Sequence, residues 1–288
     1  MSADSRRRTI AELRVLYRTH PRLRDVLVEG PSDARFMRWY LNELGADSSV
    51  RVYEVDHRVD APADVVRAAH PEVNKRGRLV YVAKEAGGWG AERAGVTCVI
   101  DADFDVLTEA ADSSVLLRTD FAALENYTLL PRPFAKFMGQ FVEGSWDPES
   151  TLRELLPIWT YLFVLRYVLH RHSDGESLLK NFASKCVSRG KVVGFSARML
   201  IQGSISGNAV EVGRLVQLYE EQVALVGAPS LATVRGHDIA AVLIHFFGLK
   251  GDLRSADQVE RLMRACVEVV DLEGQPMFRA LERRVLGS

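Results

Sequence analysis

The chain has 288 residues, a hydrophobic content of 47% and a net charge of −1. These values argue against a wholly disordered chain and leave room for one large domain or two of ordinary size. Three cysteines, Cys98, Cys186 and Cys266, are far apart and have apolar neighbours. Their pattern indicates reduced core thiols and lacks the spacing of a disulfide framework or a zinc site.

The sequence also argues against a membrane protein. It begins MSADSRRRTIAEL, which lacks the apolar core of a signal peptide. The most apolar segment, residues 155–169, contains Pro157 and Arg166 and is too short to cross a bilayer. We therefore expect a cytoplasmic protein in which this segment is a buried helix.

The first predicted elements are a basic helical arm and a strand. Apolar residues recur at helical spacing in residues 9–19, and a buried strand at residues 26–28 ends in Glu29. Ser32 or Asp33 is suited to cap the helix that follows. Glu29 is thereby predicted at a strand end just before a helix, where α/β sheets present functional groups.

Strands and helical patterns then alternate. Residues 50–55 are predicted to form a strand and residues 61–69 a helix. The apolar stretch 79–83 fits either a strand or a helix, and four glycines in residues 84–95 indicate a mobile loop. This alternation favours an α/β fold with a mainly parallel sheet flanked by helices.

The central motif is VTCVIDADFD, residues 96–105. A buried strand is predicted to end there in Asp101, Asp103 and Asp105, and alternate residues of an extended chain point to the same side. Carboxylates that converge in this way need a cation, and oxygen ligands suit Mg²⁺ or Mn²⁺. An Asp-rich loop after a core strand is the alternative interpretation.

Acidic residues continue beyond this motif. A helix or loop is predicted next, then a short strand at residues 115–118, then a segment in which Asp120 is suited to cap a helix that carries Glu125 and Asn126. Between Asp101 and Glu125 the chain has seven carboxylates and a single basic residue. Glu125 is therefore either an ordinary surface position or a further metal ligand.

A polar linker at residues 144–150 leads into a mostly helical region. The predicted helices are residues 151–171, 177–188, 209–226, 236–247 and 256–272. Ser255 and Gln258 have the pattern of a capping box for the last of them.

A basic cluster lies within this region. Its members are Lys180, Lys185, Arg189, Lys191 and Arg198, and no acidic residue lies among them. Such a cluster is typical of a surface that contacts phosphate groups, and it is equally compatible with a solvated helix face.

Four segments, in order, resemble a known family. VEGPSDARFMRWYL, VIDADFD, RTDFAALENYTL and GHDIAAVLIHF are similar to segments of the TOPRIM-like nucleases of bacterial anti-phage defence, which include the TOPRIM effector of the PARIS system. The resemblance covers most of the chain, and the first 130 residues carry its specific motifs. We expect a TOPRIM-like catalytic domain at residues 1–143 and a helical domain at residues 144–288.

The resemblance implies a metal-dependent endonuclease. An ABC-type ATPase partner would hold it inactive until infection, after which it would cut DNA or RNA; tRNA is the target in the best-known member. Position by position, Glu29, Asp101 and Asp103 match the catalytic core. Asp33 and Glu125 match acids that related nucleases use as further metal ligands, and we assign Asp105 to the same shell.

The resemblance also bears on nucleic-acid contacts. A lysine often precedes the second motif in related sequences, and Lys84 is the candidate for that position here. Together with the basic cluster, it is predicted to contact the nucleic-acid backbone, and homodimerisation through the helical region is a further expectation.

Two other functions remain open. The first is a non-catalytic regulatory module whose carboxylates bind a cation or a basic surface of a partner protein. The second is strand passage or priming, as in topoisomerases and primases, which we rank last because the chain has no obvious tyrosine-bearing cleavage domain or zinc ribbon.

Overall fold

The computed structural model describes residues 6–108, 114–173 and 176–287. The chain divides into two compact units that are discontinuous in sequence. The sheet unit comprises Met1–Asp101, Ala110–Asp120 and Leu272–Ser288, and the helical unit comprises Ala102–Glu109 and Phe121–Asp271. The division passes through the Asp-x-Asp motif. The boundary between a catalytic and a helical domain, predicted after residue 143, stays a prediction.

Regular structure fills most of both units. In the sheet unit the strands and α-helices are α1 Ile10–Thr19, β1 Arg24–Val28, α2 Pro31–Glu43, β2 Val50–Glu54, α3 Val55–Arg58, α4 Ala63–Ala69, α5 Lys75–Gly87, β3 Val96–Ile100, β4 Leu116–Arg118 and α14 Pro276–Val285. In the helical unit they are α6 Pro131–Phe141, α7 Pro148–His172, α8 Phe182–Cys186, β5 Val187–Ser188, β6 Lys191–Val192, α9 Ala197–Ser204, α10 Ala209–Val226, α11 Gly236–Phe247, α12 Ala256–Ala265 and α13 Val269–Leu272, which ends at the division. Short 3₁₀ helices are Ala91–Gly95, Asp103–Leu107, Leu124–Leu129, Leu231–Thr233 and Gly251–Arg254.

The four strands of the sheet unit form one parallel sheet in the order β2-β1-β3-β4. Every residue of β3 is buried, as is usual for a parallel strand that is covered on both faces and reads as a continuous apolar run. The sheet confirms the predicted α/β class with a parallel sheet flanked by helices. Its two central strands, β1 and β3, are those that precede Glu29 and Asp101.

Helices cover both faces of this sheet. On one face, Leu27 and Cys98 belong to a core with α1, α4 and α5. Thr97 points to the opposite face because side chains alternate along a strand; there Arg284 of α14 donates a hydrogen bond to Thr97 Oγ1 at 3.1 Å and another to the Val96 carbonyl at 3.0 Å. These bonds attach the C-terminal helix to a central strand.

A charged network is buried at the start of β1. Asp25 and Arg58 are 1% and 0% exposed, and Arg58 Nη2 lies 2.7 Å from Asp25 Oδ2. Tyr17 donates a hydrogen bond to the same oxygen at 2.9 Å. Burial raises the pKa of Asp25, and the charge of Arg58 opposes that rise. A buried pair of this kind holds its elements in register, since either charge left alone would be strongly unfavourable.

The core of the helical unit forms around α7. Its Trp159 and Leu162 are fully buried against residues of α11 such as Leu243, and Thr160 bonds Thr233 at 3.1 Å. The apolar segment 155–169 lies inside α7, which confirms the predicted buried helix. No helix in the described part of the chain is both long and apolar enough to cross a membrane.

Several predicted elements are confirmed. β3, α10 and α11 have the predicted bounds. All three cysteines are free and buried. The strands predicted at residues 26–28, 50–55 and 115–118 correspond to β1, β2 and β4 within two residues at each end.

The prediction of a mobile loop at residues 84–95 is wrong for most of its length. The ambiguous stretch 79–83 is helical, α5 continues to Gly87, and a 3₁₀ helix covers Ala91–Gly95. Asn74 caps α5 by accepting a hydrogen bond from the Gly77 N–H at 2.8 Å. The cap starts the helix well before the apolar run, so the run taken alone did not locate the helix.

Two predicted caps are wrong, and a third is confirmed only in its position. α2 begins at Pro31 with Gly30 as its capping residue, so neither Ser32 nor Asp33 holds that position. Asp120 instead accepts a hydrogen bond from the Met277 N–H at 3.0 Å. Ser255 does cap α12, but its side chain makes no capping hydrogen bond.

Some helices differ in extent or were missed. The helix predicted at residues 177–188 is reduced to α8, followed by the β5–β6 hairpin, and the one at 256–272 ends at Ala265 before α13 begins. Four further helices, α3, α6, α9 and α14, were not predicted. Both α6 and α14 begin at a proline, which is well suited to the first helical turn.

Candidate functional site

Glu29 and Asp101 follow the two central strands at the same edge of the sheet. β1 and β3 pair in parallel with Leu27 opposite Cys98, and the same register continued by two residues sets Glu29 opposite Ile100. Both acids therefore leave the sheet at the carboxyl ends of neighbouring strands, where α/β sheets bind ligands. The Glu29 side chain is 29% exposed, so it is accessible to solvent.

A cation also lies at this edge. Arg76, in the first turn of α5, donates a hydrogen bond to the Asp101 carbonyl. Its Nη1 lies 3.9 Å from Glu29 Oε1, and its side chain is only 13% exposed, so water screens this attraction weakly. The sequence analysis missed Arg76, since nothing near it in the sequence relates it to either acid.

Lys84, the predicted basic residue of this region, lies elsewhere on the same helix. It is exposed in the last turn of α5, about 12 Å along the helix axis from Arg76 at the usual rise per residue. The structure therefore gives Arg76, and not Lys84, the contacts with Glu29 and Asp101.

Asp33 has a structural contact at the start of α2. Its Oδ2 accepts a hydrogen bond from the Gly30 N–H at 3.0 Å. This reciprocal bond satisfies a backbone donor at the helix N-terminus, and the negative charge is favourable there. Gly30 has no Cβ, and one placed there would lie 3.2 Å from Asp33 Oδ2, so the glycine permits the close approach.

Asp103 has an unusual backbone conformation. Its φ is 46°, in the left-handed region that few non-glycine residues adopt. Its N–H donates to the Ala122 carbonyl at 2.7 Å, its side chain is exposed, and Asp105 follows on the same 3₁₀ turn. Phe104 anchors this turn to α7 through Phe163, with ring centroids 5.2 Å apart. Backbone strain of this kind is concentrated at functional sites.

Glu125 lies in an ion pair inside the helical unit. Its side chain is 11% exposed, and Arg264 of α12 donates a hydrogen bond to Oε1. Gly236, the first residue of α11, packs against the same carboxylate, since a Cβ at this position would lie 2.5 Å from Oε2. The structure thus joins the ENYT and GHD segments of the sequence through Glu125.

The neighbours of Glu125 have structural partners as well. The Asn126 amide donates to the carbonyls of Leu231 at 2.7 Å and Val234 at 2.8 Å. His237 Nδ1 lies 3.3 Å from Glu260 Oε1. This hydrogen bond raises the pKa of His237, and the charge of Glu125 adds to the rise.

All five members of the basic cluster are exposed in the helical unit. Arg189 and Gly190 form the turn of the β5–β6 hairpin with φ values of 43° and 78°, the two positive angles of a type I′ turn. The hairpin therefore carries Arg189 and Lys191 toward solvent. The exposure of the cluster is compatible both with a phosphate-contacting surface and with a solvated face.

The carboxylates at this edge of the sheet are of the type that binds a divalent cation, but they are too few to form a complete metal site. Carboxylate oxygens such as those of Glu29 and Asp101 are the ligands that Mg²⁺ and Mn²⁺ prefer. Across the described residues, however, no group of three or more His, Cys, Asp or Glu side chains is arranged to hold a metal ion. In the sheet unit Arg76 supplies a positive charge beside the Glu29 carboxylate.

No known protein family matches the chain, and no curated protein shows significant similarity to it. The TOPRIM-like resemblance therefore depends on the quoted motifs and on the order in which they occur.

Proposed function

We propose that the chain is a metal-dependent endonuclease of the TOPRIM-like type that acts as the toxic effector of an anti-phage defence system. The observation that carries the proposal is the position of Glu29 and Asp101 at the carboxyl ends of the two central parallel strands. The strained backbone of Asp103 adds support, because such strain persists where function requires it.

Each acid of the core has a role in this proposal. Asp101 and Asp103 hold the metal, and Glu29 completes the shell or transfers a proton. Bound Mg²⁺, or Mn²⁺ in its place, neutralises charge that develops on the phosphate oxygens during hydrolysis. The partial exposure of Glu29 lets its carboxylate exchange a proton with water, as a general acid or base must.

The supporting acids differ in what their contacts allow. Asp105 shares a 3₁₀ turn with Asp103, which favours a role in the same shell. Asp33 and Glu125 are held by a helix cap and by Arg264, and as metal ligands they would have to give up these partners.

The proposed nuclease has a nucleic-acid substrate and a protein partner. The substrate is DNA or RNA, with tRNA a candidate, and its backbone lies on the exposed basic cluster. An ABC-type ATPase controls the effector in the cytoplasm.

Neutralising Lys185 and Lys191 together is expected to lower the slope of log affinity against log salt concentration by about 1.4 for a single strand. An unchanged slope would show that these lysines do not contact the nucleic acid.

The direct test is cleavage of DNA, bulk RNA and tRNA by the purified full chain in Mg²⁺, Mn²⁺ or EDTA, with and without the co-expressed ATPase partner. Metal-dependent cutting is expected, and Asp101→Asn and Glu29→Gln are expected to abolish it. Glu43→Gln is the matched control, because Glu43 is an exposed carboxylate of the same unit. Cutting by Asp101→Asn at the wild-type rate would refute the proposal.

One observation favours the second candidate, a non-catalytic regulatory module. Arg76 already provides a positive charge beside Glu29 and bonds the Asp101 carbonyl, so part of the negative charge of this edge is offset without a metal. If Arg76 acts in place of a metal, Arg76→Gln should bind Mn²⁺ more tightly than the wild type, yet neither protein should cut nucleic acid. Metal-dependent cutting by the wild type would exclude the module.

A further inference from the structure

A cavity in the sheet unit is lined by arginines. Its volume is about 370 Å³, and its charged lining residues are Arg24, Arg93, Arg283 and Arg284. The other lining residues are small or apolar, and no carboxylate of the described residues belongs to the wall. A cavity of this size is in the range of small-molecule sites. Several positive charges with no acid among them favour a multiply charged anion.

The cavity lies at the edge of the sheet opposite to Glu29 and Asp101. Arg24 is the first residue of β1, and Arg93 belongs to the 3₁₀ helix that directly precedes β3. Because β1 and β3 are parallel neighbours, both arginines lie at the amino ends of the central strands, whereas Glu29 follows the carboxyl end of β1. The length of β1 corresponds to about 16 Å at the usual rise per residue. The cavity is therefore separate from the candidate functional site.

Arg284 is fixed at this cavity by the start of β3. Its guanidinium donates hydrogen bonds to Thr97 Oγ1 at 3.1 Å, to the Val96 carbonyl at 3.0 Å and to the Arg93 carbonyl at 3.4 Å. These acceptors are uncharged, so they hold the positive charge in place without neutralising it. Burial lowers the pKa of Arg284, and the charges of Arg93 and Arg24 also lower it, which agrees with the gathering of like charges at one cavity.

The other three arginines also lack an acidic partner. Arg93 and Arg283 are exposed, and among the described residues neither guanidinium forms a hydrogen bond or an ion pair. The backbone near Arg93 is closely packed, since a Cβ at Gly95 would lie 2.4 Å from Tyr17 Cγ. Arg24 donates from Nη1 to two nearby backbone carbonyls, at 2.7 and 2.8 Å. Its charge is thus uncompensated as well.

Three acids adjoin these arginines in the sequence but do not neutralise them. Asp25 is paired in the core with Arg58, whose Nη2 lies 2.7 Å from its Oδ2. Glu282 accepts a hydrogen bond from the Tyr40 hydroxyl. Glu92 does not line the cavity. Like charges gathered without acids are unfavourable for folding, so a ligand that supplies negative charge explains the arrangement.

We propose that this cavity binds an oligophosphate anion, namely the phosphate chain of a nucleotide. A guanidinium presents a planar fork of donors that matches two oxygens of a phosphate. Arg93 and Arg283 have donors available for such contacts, and Arg284 supplies a charge that is already fixed. Because the cavity lies at the other end of the strands that precede Glu29 and Asp101, the proposed nuclease activity is not needed for this site.

Binding of tripolyphosphate to the full chain in EDTA, measured by calorimetry, tests the site. The wild type should bind it, and Arg67→Gln should bind it equally, because Arg67 is an exposed arginine of α4 that does not line the cavity. Arg93→Gln and Arg283→Gln should each bind about tenfold more weakly, the usual effect of losing a charged hydrogen-bond donor. No binding by the wild type, or wild-type affinity when both arginines are replaced, would overturn the proposal.

Thermal unfolding separates binding from a structural role. Without the anion, the protein with both Arg93→Gln and Arg283→Gln should unfold at the wild-type temperature or higher, because the substitutions remove like charges and break no bond among the described residues. Tripolyphosphate should raise the unfolding temperature of the wild type and of Arg67→Gln. It should have little effect on the double variant. Equal stabilisation of all three proteins, or a double variant that is less stable without the anion, would overturn the proposal.

Competition experiments identify the source of the phosphate. A nucleoside triphosphate should displace tripolyphosphate, whereas a short single-stranded oligonucleotide should not, because a cavity of this volume suits one small molecule. The opposite result for either competitor would overturn the nucleotide assignment. Asp101→Asn should bind tripolyphosphate as the wild type does, even though this variant is expected to lose cleavage. Loss of tripolyphosphate binding in Asp101→Asn would overturn the separate site, and binding without cleavage in the wild type would support it while the nuclease proposal fails.

Discussion

Gly236→Ala is expected to destabilise the helical unit, although alanine is the better helix former. The new Cβ would lie 2.5 Å from Glu125 Oε2 and 3.0 Å from Glu125 Cβ. The carboxylate has little room to move, because it is buried and bonded to Arg264. Overpacking of this kind costs about 1–3 kcal/mol and the helix propensity of alanine returns at most about 1 kcal/mol, so we expect a net loss of about 1–2 kcal/mol.

Gly139→Ala is the matched control for this substitution. Gly139 lies inside α6, and a Cβ there would have nothing within 4 Å. This variant should therefore gain up to about 1 kcal/mol of stability. Urea denaturation followed by circular dichroism would give the two changes in the free energy of unfolding, and we expect them to have opposite signs.

A double-mutant cycle with Glu125→Ala completes the test. Glu125→Ala alone should destabilise the protein, because it leaves the Arg264 guanidinium without its buried partner. In that background Gly236→Ala should lose most of its penalty, since the atoms it collides with are gone. The same penalty with and without the Glu125 side chain would refute the steric argument.

Three further substitutions probe other features by the same denaturation assay. Arg58→Met should destabilise by about 3–5 kcal/mol, because it leaves the buried Asp25 charge without its partner; a loss below about 1 kcal/mol would contradict this. Asp103→Gly relieves a positive φ, so it should change stability by less than about 1 kcal/mol while abolishing cleavage, and a large loss of stability would make Asp103 structural. Because the pKa of His237 is raised, its bond to Glu260 stabilises the fold fully at pH values below the ordinary pKa of histidine. This stabilisation is lost as the pH rises through the raised pKa. The stability difference between wild type and His237→Gln should therefore shrink from pH 6 to pH 9, from a starting value under about 1 kcal/mol because the His237 side chain is exposed; a constant difference would exclude titration of His237 as its cause.

The sequence predicted the elements whose signals are local. β3 was located because a mostly apolar run ends at Asp101. α10 was located by its helical pattern at residues 209–226, and the structure adds that Asn208 caps it by accepting hydrogen bonds from the N–H groups of Val210 and Glu211. α14 was missed: it is a short segment, and its place on the sheet depends on Arg284, which reaches a strand far away in the sequence.

The partners of the candidate site residues depend on contacts between residues that are far apart in the sequence. Arg76 meets Asp101 across 25 residues, and Arg264 meets Glu125 across 139. Neither arginine lies in a motif, and the sequence does not distinguish either of them from the many other basic residues. Only the fold shows that Arg76 lies beside Glu29 and that Arg264 pairs with Glu125, so the sequence could propose the acids but not their partners.

These partners divide the predicted metal ligands into two groups with different expected behaviour. Asp33 bonds a backbone N–H at a helix start, and Glu125 bonds a buried arginine, so each contributes to folding whatever else it does. Glu29 follows a central strand with its side chain partly exposed, and Asp103 is an exposed residue with a positive φ. Neutralising Asp33 or Glu125 should therefore lower stability first, whereas neutralising Glu29 or Asp103 should lower activity with little change in stability. Asp103 combines an exposed side chain with a positive φ at the candidate site, so it is the residue at which the two effects should be most clearly separated.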